Sequence, residues 1–300
     1  MRDTVFPRWQ GAFLAIFLLA GSFYVPATPE AIWSLVWGTL LAAAVVFLFL
    51  RWLLHCDARD FESLCRAHLP RPVQVVLFAI VGLCALAAIA QSLLRLSGFW
   101  QATAFPGLPR WVTAAVLLGV GWCAGRRGRT AVAMWAYPTV FLISLTLAVS
   151  LLVTLPDCSP AYLVQAARRI TQPGAPTWQF LPLLLPLLLC TQTRRLPSTR
   201  ACTRGVLLGG AGLTLLTLRA WLLLGAGAQA LPYPVFSAAG LFSVGDFLQR
   251  GEVVFGCVLA LCESVRVALL VTLAREMGRA IFAKKDRSPA PKDGKPVQES

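Results

Sequence analysis

The sequence has few charged residues, which make up 13% of its 300 positions, against about 25% in an ordinary soluble domain. Because a soluble protein needs polar side chains to cover its cores, this shortage excludes most water-soluble folds. Hydrophobic residues make up 57% of the chain instead. The composition therefore predicts an integral membrane protein.

Acidic residues are scarcer than basic ones, with 13 Asp and Glu against 27 Lys and Arg. Basic residues gathered on one face of a soluble domain would indicate nucleic-acid binding. Here they stand in short clusters between long apolar runs, which is typical of the cytoplasmic connections of a membrane protein. We therefore expect a lipid bilayer around the chain and no nucleic-acid partner.

Metal-binding and catalytic patterns are also missing from the sequence. It has two histidines and nine cysteines, but no CxxC pair and no zinc-ligand spacing. No GxSxG elbow, Walker loop, HExxH or EF-hand pattern occurs. Most cysteines lie in or beside apolar runs, where a free Cys behaves as a small hydrophobe. We expect no cofactor, metal or disulfide framework and no enzyme, with an intramembrane enzyme as the alternative.

What the sequence does have is a series of long apolar runs. A helix rises about 1.5 Å per residue, so that about 20 residues cross a hydrocarbon core of about 30 Å. Residues 31–50 contain no charge and form the clearest span. The pattern predicts an all-α, polytopic transmembrane helical bundle of about eight spans. The other expected spans are residues 13–20 continuing towards 25, 73–94, 108–124, 130–155, 178–190, 206–230 and 253–273.

Two of the expected spans are irregular. Residues 13–20 are short, so they can be part of a marginal span or the apolar part of a cleaved signal peptide, and both interpretations stay open. Residues 178–190 contain Pro182 and Pro186, which predicts a re-entrant or broken helix. Backbone groups that the prolines leave free need partners from other helices or from a water-lined cavity.

The charges also predict the orientation of the chain, since connections rich and poor in Arg and Lys should alternate. The sequence follows that rule, because the poor set of connections holds only Arg95, Arg110, Arg168, Arg169 and Arg250. Both termini are therefore expected in the cytoplasm. Residues 1–282 form the predicted membrane domain, and the polar residues 283–300 are expected to be a disordered cytoplasmic tail.

Residues 233–250 resemble a signature of the endospore germination permease family. They contain Tyr233-Pro234 followed by Ser243, Gly245, Asp246, Phe247, Leu248 and Arg250 in the order S-x-G-D-F-L-x-R. Members of that family have such a run before their eighth span, and commonly have a lysine where this chain has Arg266. Further stretches resemble the family's fourth and fifth spans in order and spacing: residues 108–112, 126–128, 137–140 and 155–157.

This resemblance implies a nutrient-sensing subunit of a spore germinant receptor, in the spore inner membrane of a bacterium. Its partners would be a larger membrane subunit and a lipoprotein, and its ligand an amino acid or similar nutrient. The family belongs to the amino acid–polyamine–organocation superfamily, which binds substrates near the midplane, where the first and sixth spans are broken.

The chain departs from the family in its short loop at residues 26–30, its compressed region 178–190 and the absence of spans after the eighth. We therefore expect a truncated inverted-repeat permease fold. The alternatives are a secondary transporter of amino acids and a transport-inactive membrane scaffold.

The strongest candidate site residues are Glu263 and Arg266, which stand three residues apart on one face of the last span and are expected to form an ion pair. Charges inside a membrane are costly and are functional hypotheses by default. A structural pair, or an Arg266 that reaches the headgroups, is the alternative. Arg219 also lies inside a span, where a structural role is favoured over a functional one; its candidate partner is Glu263, in a bridge between helices.

Weaker candidates are groups that a ligand can hydrogen-bond at breaks in helices, or the side chain of Gln91, for which a helix-to-helix hydrogen bond is the alternative. The spacing of Gly121 and Gly125, and of Gly205 and Gly209, predicts close helix packing instead. The full set of weaker candidates for ligand binding is Gly21, Ser22, Gln91, Pro182 and Pro186.

Overall fold

A computed structural model of the chain describes residues 7–21, 24–56, 61–168, 184–191, 198–241 and 251–282. Within these ranges the regular structure is helical and no strand occurs, so the predicted all-α class is confirmed. The helices are α1 (Pro7–Leu19), α2 (Pro29–His55), α3 (Phe61–His68), α4 (Arg71–Thr103), α5 (Arg110–Gly125), α6 (Arg129–Thr154), α7 (Pro160–Arg168), α8 (Leu184–Thr191), α9 (Thr199–Leu224), α10 (Pro234–Gly240) and α11 (Gly251–Phe282).

Five of these segments are long and apolar enough to cross a membrane: Pro29–His55, Arg71–Thr103, Arg129–Asp157, Thr199–Ala230 and Val253–Phe282. Two shorter apolar helices, Trp9–Leu19 and Arg110–Gly125, accompany them. The chain is thus an α-helical membrane protein. Residues 169–183 and the expected tail 283–300 lie outside the described residues.

Helix α11 is the centre of the bundle and packs against α4, α5 and α6. In the most apolar stretch of α11, 72% of the residues are buried, whereas only 22% are buried in the corresponding stretches of α4 and α6. The outer helices therefore present side chains such as Leu94 and Leu152, each 72% exposed, to the lipid. Because α11 lies in the interior, its ionisable residues are candidates for a functional site.

Helix α1 is short but lies in the core. Every residue from Ala12 to Ala20 is buried, in contacts with α6, α9 and α11. Its 13 residues span about 20 Å, less than the hydrocarbon core of about 30 Å. Its last turn is buried in the bundle, where Leu19 packs with Ile143 of α6 and Cys262 of α11.

Glycines allow α1 and α9 to touch along their backbones. A Cβ atom on Gly205 would lie 2.2 Å from the Gly11 carbonyl oxygen, and one on Gly209 would lie 2.8 Å from the Ala15 Cα atom. The predicted glycine pair of α5 meets α11 equally closely. The prediction of close helix packing at both small-residue pairs is confirmed.

One end of the bundle, which we call the basic end, is where α5 and α11 end and α6 and α9 begin. There the Arg129 guanidinium donates to both carboxylate oxygens of Glu276, with Nε 2.6 Å from Oε1. Arg275 and Thr272 both donate to the Gly125 carbonyl oxygen, each at 3.2 Å. These contacts tie α11 to α5 and α6 at the basic end.

Candidate ligand site

Glu263 and Arg266 lie in the interior part of α11 and form the ion pair that the sequence predicts. Arg266 Nη1 is 3.7 Å from Glu263 Oε1, and the two side chains are 6% and 0% exposed. That distance is longer than a hydrogen bond. Neither carboxylate oxygen of Glu263 has a hydrogen-bond partner among the described residues. A buried carboxylate in this state is costly, and it offers two acceptors to a donor group.

The last turn of α1 supports the other member of the pair. The Arg266 guanidinium lies over the Phe17 ring, 4.5 Å from its centroid, at a distance that gives a cation–π interaction. Arg266 Nε is buried and has no hydrogen-bond partner in the described part of the chain. The guanidinium is therefore held in place by an aromatic face while part of its donor capacity stays unused.

Helix α4 and the connection after α1 contribute three more polar side chains. Ser92 lies beside the Glu263 carboxylate without the geometry of a hydrogen bond, and Arg95 is close enough to act on Glu263 electrostatically. The Arg95 guanidinium lies 5.3 Å from the centroid of the Tyr24 ring. The Tyr24 hydroxyl is buried and has no hydrogen-bond partner within the described ranges.

We call these five residues the polar cluster: Tyr24, Ser92, Arg95, Glu263 and Arg266. Its two guanidinium groups and one carboxylate leave it with one net positive charge. Burial strengthens the electrostatic attraction between such groups and a charged ligand. The cluster thus presents both signs of charge, with unused donors and acceptors, in one interior place.

Aromatic side chains close the cluster on the side away from the basic end. The Tyr24 ring meets the Tyr233 ring edge-on at 6.4 Å, and Phe99, one turn beyond Arg95 on α4, meets Tyr233 at 5.2 Å and Phe236 at 4.9 Å. We call Tyr233, Phe236 and Phe99 the aromatic lid. A ligand that enters from that side must displace it.

The structure places the weaker candidate residues in different surroundings. Gly21 lies two residues after the end of α1, and its carbonyl accepts a hydrogen bond from the Tyr24 amide at 3.2 Å, so it positions Tyr24 of the cluster. Pro186 is buried in α8. Gln91 precedes Ser92 on α4 but is exposed, because adjacent helical residues point in different directions; it does not join the cluster. Ser22 and Pro182 lie outside the described residues.

The expected bridge between Arg219 and Glu263 is wrong. The buried Arg219 donates from Nε to Thr154 Oγ1 and from Nη2 to the Ala238 carbonyl oxygen, each at 3.1 Å. It also lies 5.4 Å from the Phe255 ring centroid. These contacts join α9 to α6, α10 and α11, so the described contacts of Arg219 are structural.

Sequence reasoning missed Tyr24, Ser92 and Arg95 as site residues. The available signal was the spacing of three between Ser92 and Arg95, which places both on one face of α4. The position of Tyr24 beside Ser92 and Arg95 depends on how the chain turns after α1, so helical spacing does not predict it.

A separate cleft of about 300 Å³ lies between α1, α6 and α9. Apart from Ser144, apolar residues and small residues line it, and it shares no residue with the polar cluster. A ligand site needs a few polar groups that fix the orientation of the ligand, which this cleft lacks. We therefore place the candidate site at the cluster. Comparisons of the chain with protein-family models, with curated proteins and with solved structures find no match.

Proposed function

We propose that the chain is a permease-like membrane protein of about eight spans that binds an amino acid or a similar small nutrient at the polar cluster. The observation that carries this proposal is the Glu263 carboxylate, whose oxygens lack hydrogen-bond partners among the described residues while two arginines lie nearby. An amino acid carries the complementary charges, because its ammonium group can donate to Glu263 and its carboxylate can accept from Arg95 or Arg266.

The biological setting of the proposal comes from the resemblance of residues 233–250 to germination permeases. It is nutrient sensing in a spore germinant receptor, beside a larger membrane subunit and a lipoprotein. The burial of the last turn of α1 next to the cluster supports this setting, because permeases of that superfamily bind ligands where a broken first span ends.

Ligand binding is tested with the twenty common L-amino acids, each added to the full chain in lipid nanodiscs. We expect one or a few to raise its melting temperature, since a ligand at a hundred times its Kd stabilises the folded state by about 2.7 kcal/mol. Ser92→Ala should raise the Kd of that amino acid about tenfold, which corresponds to about 1.4 kcal/mol of binding free energy, because it removes a hydroxyl beside Glu263.

Ser97→Ala is the matched control, because Ser97 is a buried serine of the same helix whose hydroxyl donates to the Leu94 carbonyl instead. Equal effects of both serine variants, or no response to any amino acid, would contradict the proposal. Uptake of the bound amino acid into proteoliposomes would instead make the chain a transporter. Complete absence of binding would favour the scaffold.

The proposed topology has both termini in the cytoplasm. A reporter that is active only in the cytoplasm should therefore be active when fused after Lys285. Fusions within residues 26–30 or near Gln172 should be inactive, because these positions follow an odd number of the proposed spans. Reporter activity at Gln172 would overturn the count of eight spans.

A further inference from the structure

Two cysteines meet at the basic end, on different helices. Cys190 lies near the end of α8 and donates to the Gln10 carbonyl oxygen at 3.7 Å, while Cys202 in the first turn of α9 donates to Gln10 Oε1 at 3.8 Å. The two thiols are also close enough to act on each other electrostatically. Gln10 therefore holds both sulfur atoms in one place.

Burial distinguishes this pair from a reactive surface thiol. Cys190, Cys202 and Gln10 are all 0% exposed. Gln10 Oε1 also accepts a hydrogen bond from the Ser198 amide at 3.0 Å, so Gln10 adds polar contacts to α8 and α9 beside the backbone packing of Gly11 on α9. A small molecule therefore reaches the thiols only when neighbouring parts of the chain move.

We propose that Cys190 and Cys202 form a dithiol site that a small-molecule disulfide, such as oxidised glutathione, converts to an internal disulfide linking α8 to α9. This goes beyond the proposed function and does not depend on it. The sequence predicts that most of the cysteines behave as small hydrophobes, and the shared partner Gln10 distinguishes Cys190 and Cys202 from the others.

The reaction is two successive thiol–disulfide exchanges. The thiolate of one cysteine attacks a sulfur of the small disulfide, forms a mixed disulfide and releases one small thiolate. The second cysteine thiolate then attacks the protein sulfur of that mixed disulfide and releases the second small thiolate. The protons of the two cysteines pass to the two released thiolates. The cysteine pair loses two electrons, and the small disulfide gains them.

Oxidation also changes how α1 is held. A disulfide has no S–H group, so both sulfur hydrogen bonds to Gln10 are lost, while the Ser198 amide bond to Oε1 can persist. Helix α1 loses attachment at its start, and α8 and α9 gain a covalent link. The last turn of α1 carries Phe17 of the Arg266 contact, so the dithiol site contacts, through Gln10, the helix that supports the polar cluster.

The test uses the full chain in liposomes with its other seven cysteines replaced by alanine: Cys56, Cys65, Cys84, Cys123, Cys158, Cys257 and Cys262. After oxidised glutathione is added, we expect intact-mass measurement to show the loss of two hydrogens and of both alkylatable thiols. Dithiothreitol should restore both. Cys190→Ser in the same background should gain at most one glutathione adduct and form no internal link.

A matched control keeps Cys202 and Cys262, which are both fully buried but lie on different parts of the bundle, as the only cysteines; this pair should stay unlinked. If the seven-fold variant does not fold, peptide mapping of the oxidised natural chain should find the Cys190–Cys202 link instead. Free thiols at both positions in the folded, glutathione-treated chain would overturn the proposal, and so would equal linking of Cys202 to Cys262.

Discussion

Glu263→Gln is expected to destabilise the bundle by about 3–5 kcal/mol, because it leaves Arg266 as an unpaired charge in the interior. Arg266→Gln should cost about as much for the converse reason. The double variant should recover most of the loss, since removing both members of a buried pair can be nearly neutral. The measurement is the yield of monodisperse protein extracted from membranes, together with its melting temperature.

The chain offers a matched control in its exposed ion pair of Glu62 and Arg66 on α3, whose side chains are 30% and 53% exposed. Glu62→Gln removes the same kind of charge from a pair at helical spacing. Water screens that pair, so its loss should change stability by no more than about 1 kcal/mol. A similar loss at both sites would mean that the interior position of Glu263 contributes nothing.

Ligand binding by the double variant separates a structural pair from a ligand site. If the pair only stabilises the bundle, the double variant should recover both its yield and its response to the amino acid. If Arg266 contacts the ligand carboxylate, yield should return without binding. Single variants that accumulate and bind like the natural chain would reject both versions, because each residue would then reach water on its own.

Features that depend on spacing along one helix could be predicted from the sequence. The Glu263–Arg266 pair follows from helical periodicity, and the small-residue spacing predicts close helix packing without identifying the partner helix. The partner of Arg219 could not be predicted, because a contact between helices depends on how each is rotated and how their axes cross. The same limit explains why the sequence favours Gln91 over its neighbour Ser92, since the face of α4 that meets α11 is set by packing.

The polar cluster is closed on both sides in this structure. Tyr233 of the aromatic lid lies against Tyr24, while Gln10 and the Arg129–Glu276 pair join helices at the basic end. The Glu263 side chain is fully buried, so a ligand reaches it only after its surroundings open, and these two closures are the candidates within the described residues. The lid is made of aromatic contacts, whereas the basic end is held by ion pairs and hydrogen bonds. We therefore expect salt and thiol oxidation to weaken the contacts at the basic end more than those of the lid.

Gly205→Ala is expected to destabilise the protein strongly, because the new Cβ atom would lie 2.2 Å from the Gly11 carbonyl oxygen and 2.6 Å from its Cα atom. Backbone atoms cannot rotate away as a side chain can, so α1 must move off α9. Overpacking of this kind typically costs about 1–3 kcal/mol, and displacement of the buried α1 should place this variant at the upper end of that range. Melting temperature in nanodiscs is the measurement.

The matched control is Gly119→Ala, at an exposed position of α5 where a Cβ atom would meet nothing within 4 Å. Alanine forms helix more readily than glycine by about 1 kcal/mol, so this variant should be neutral or more stable. Since α1 leads to Phe17 and Tyr24, a folded remnant of Gly205→Ala should also bind the amino acid more weakly than the natural chain. A Gly205→Ala protein as stable as the control would show that α1 and α9 do not approach this closely, and the placement of Phe17 beside Arg266 would then lose its support.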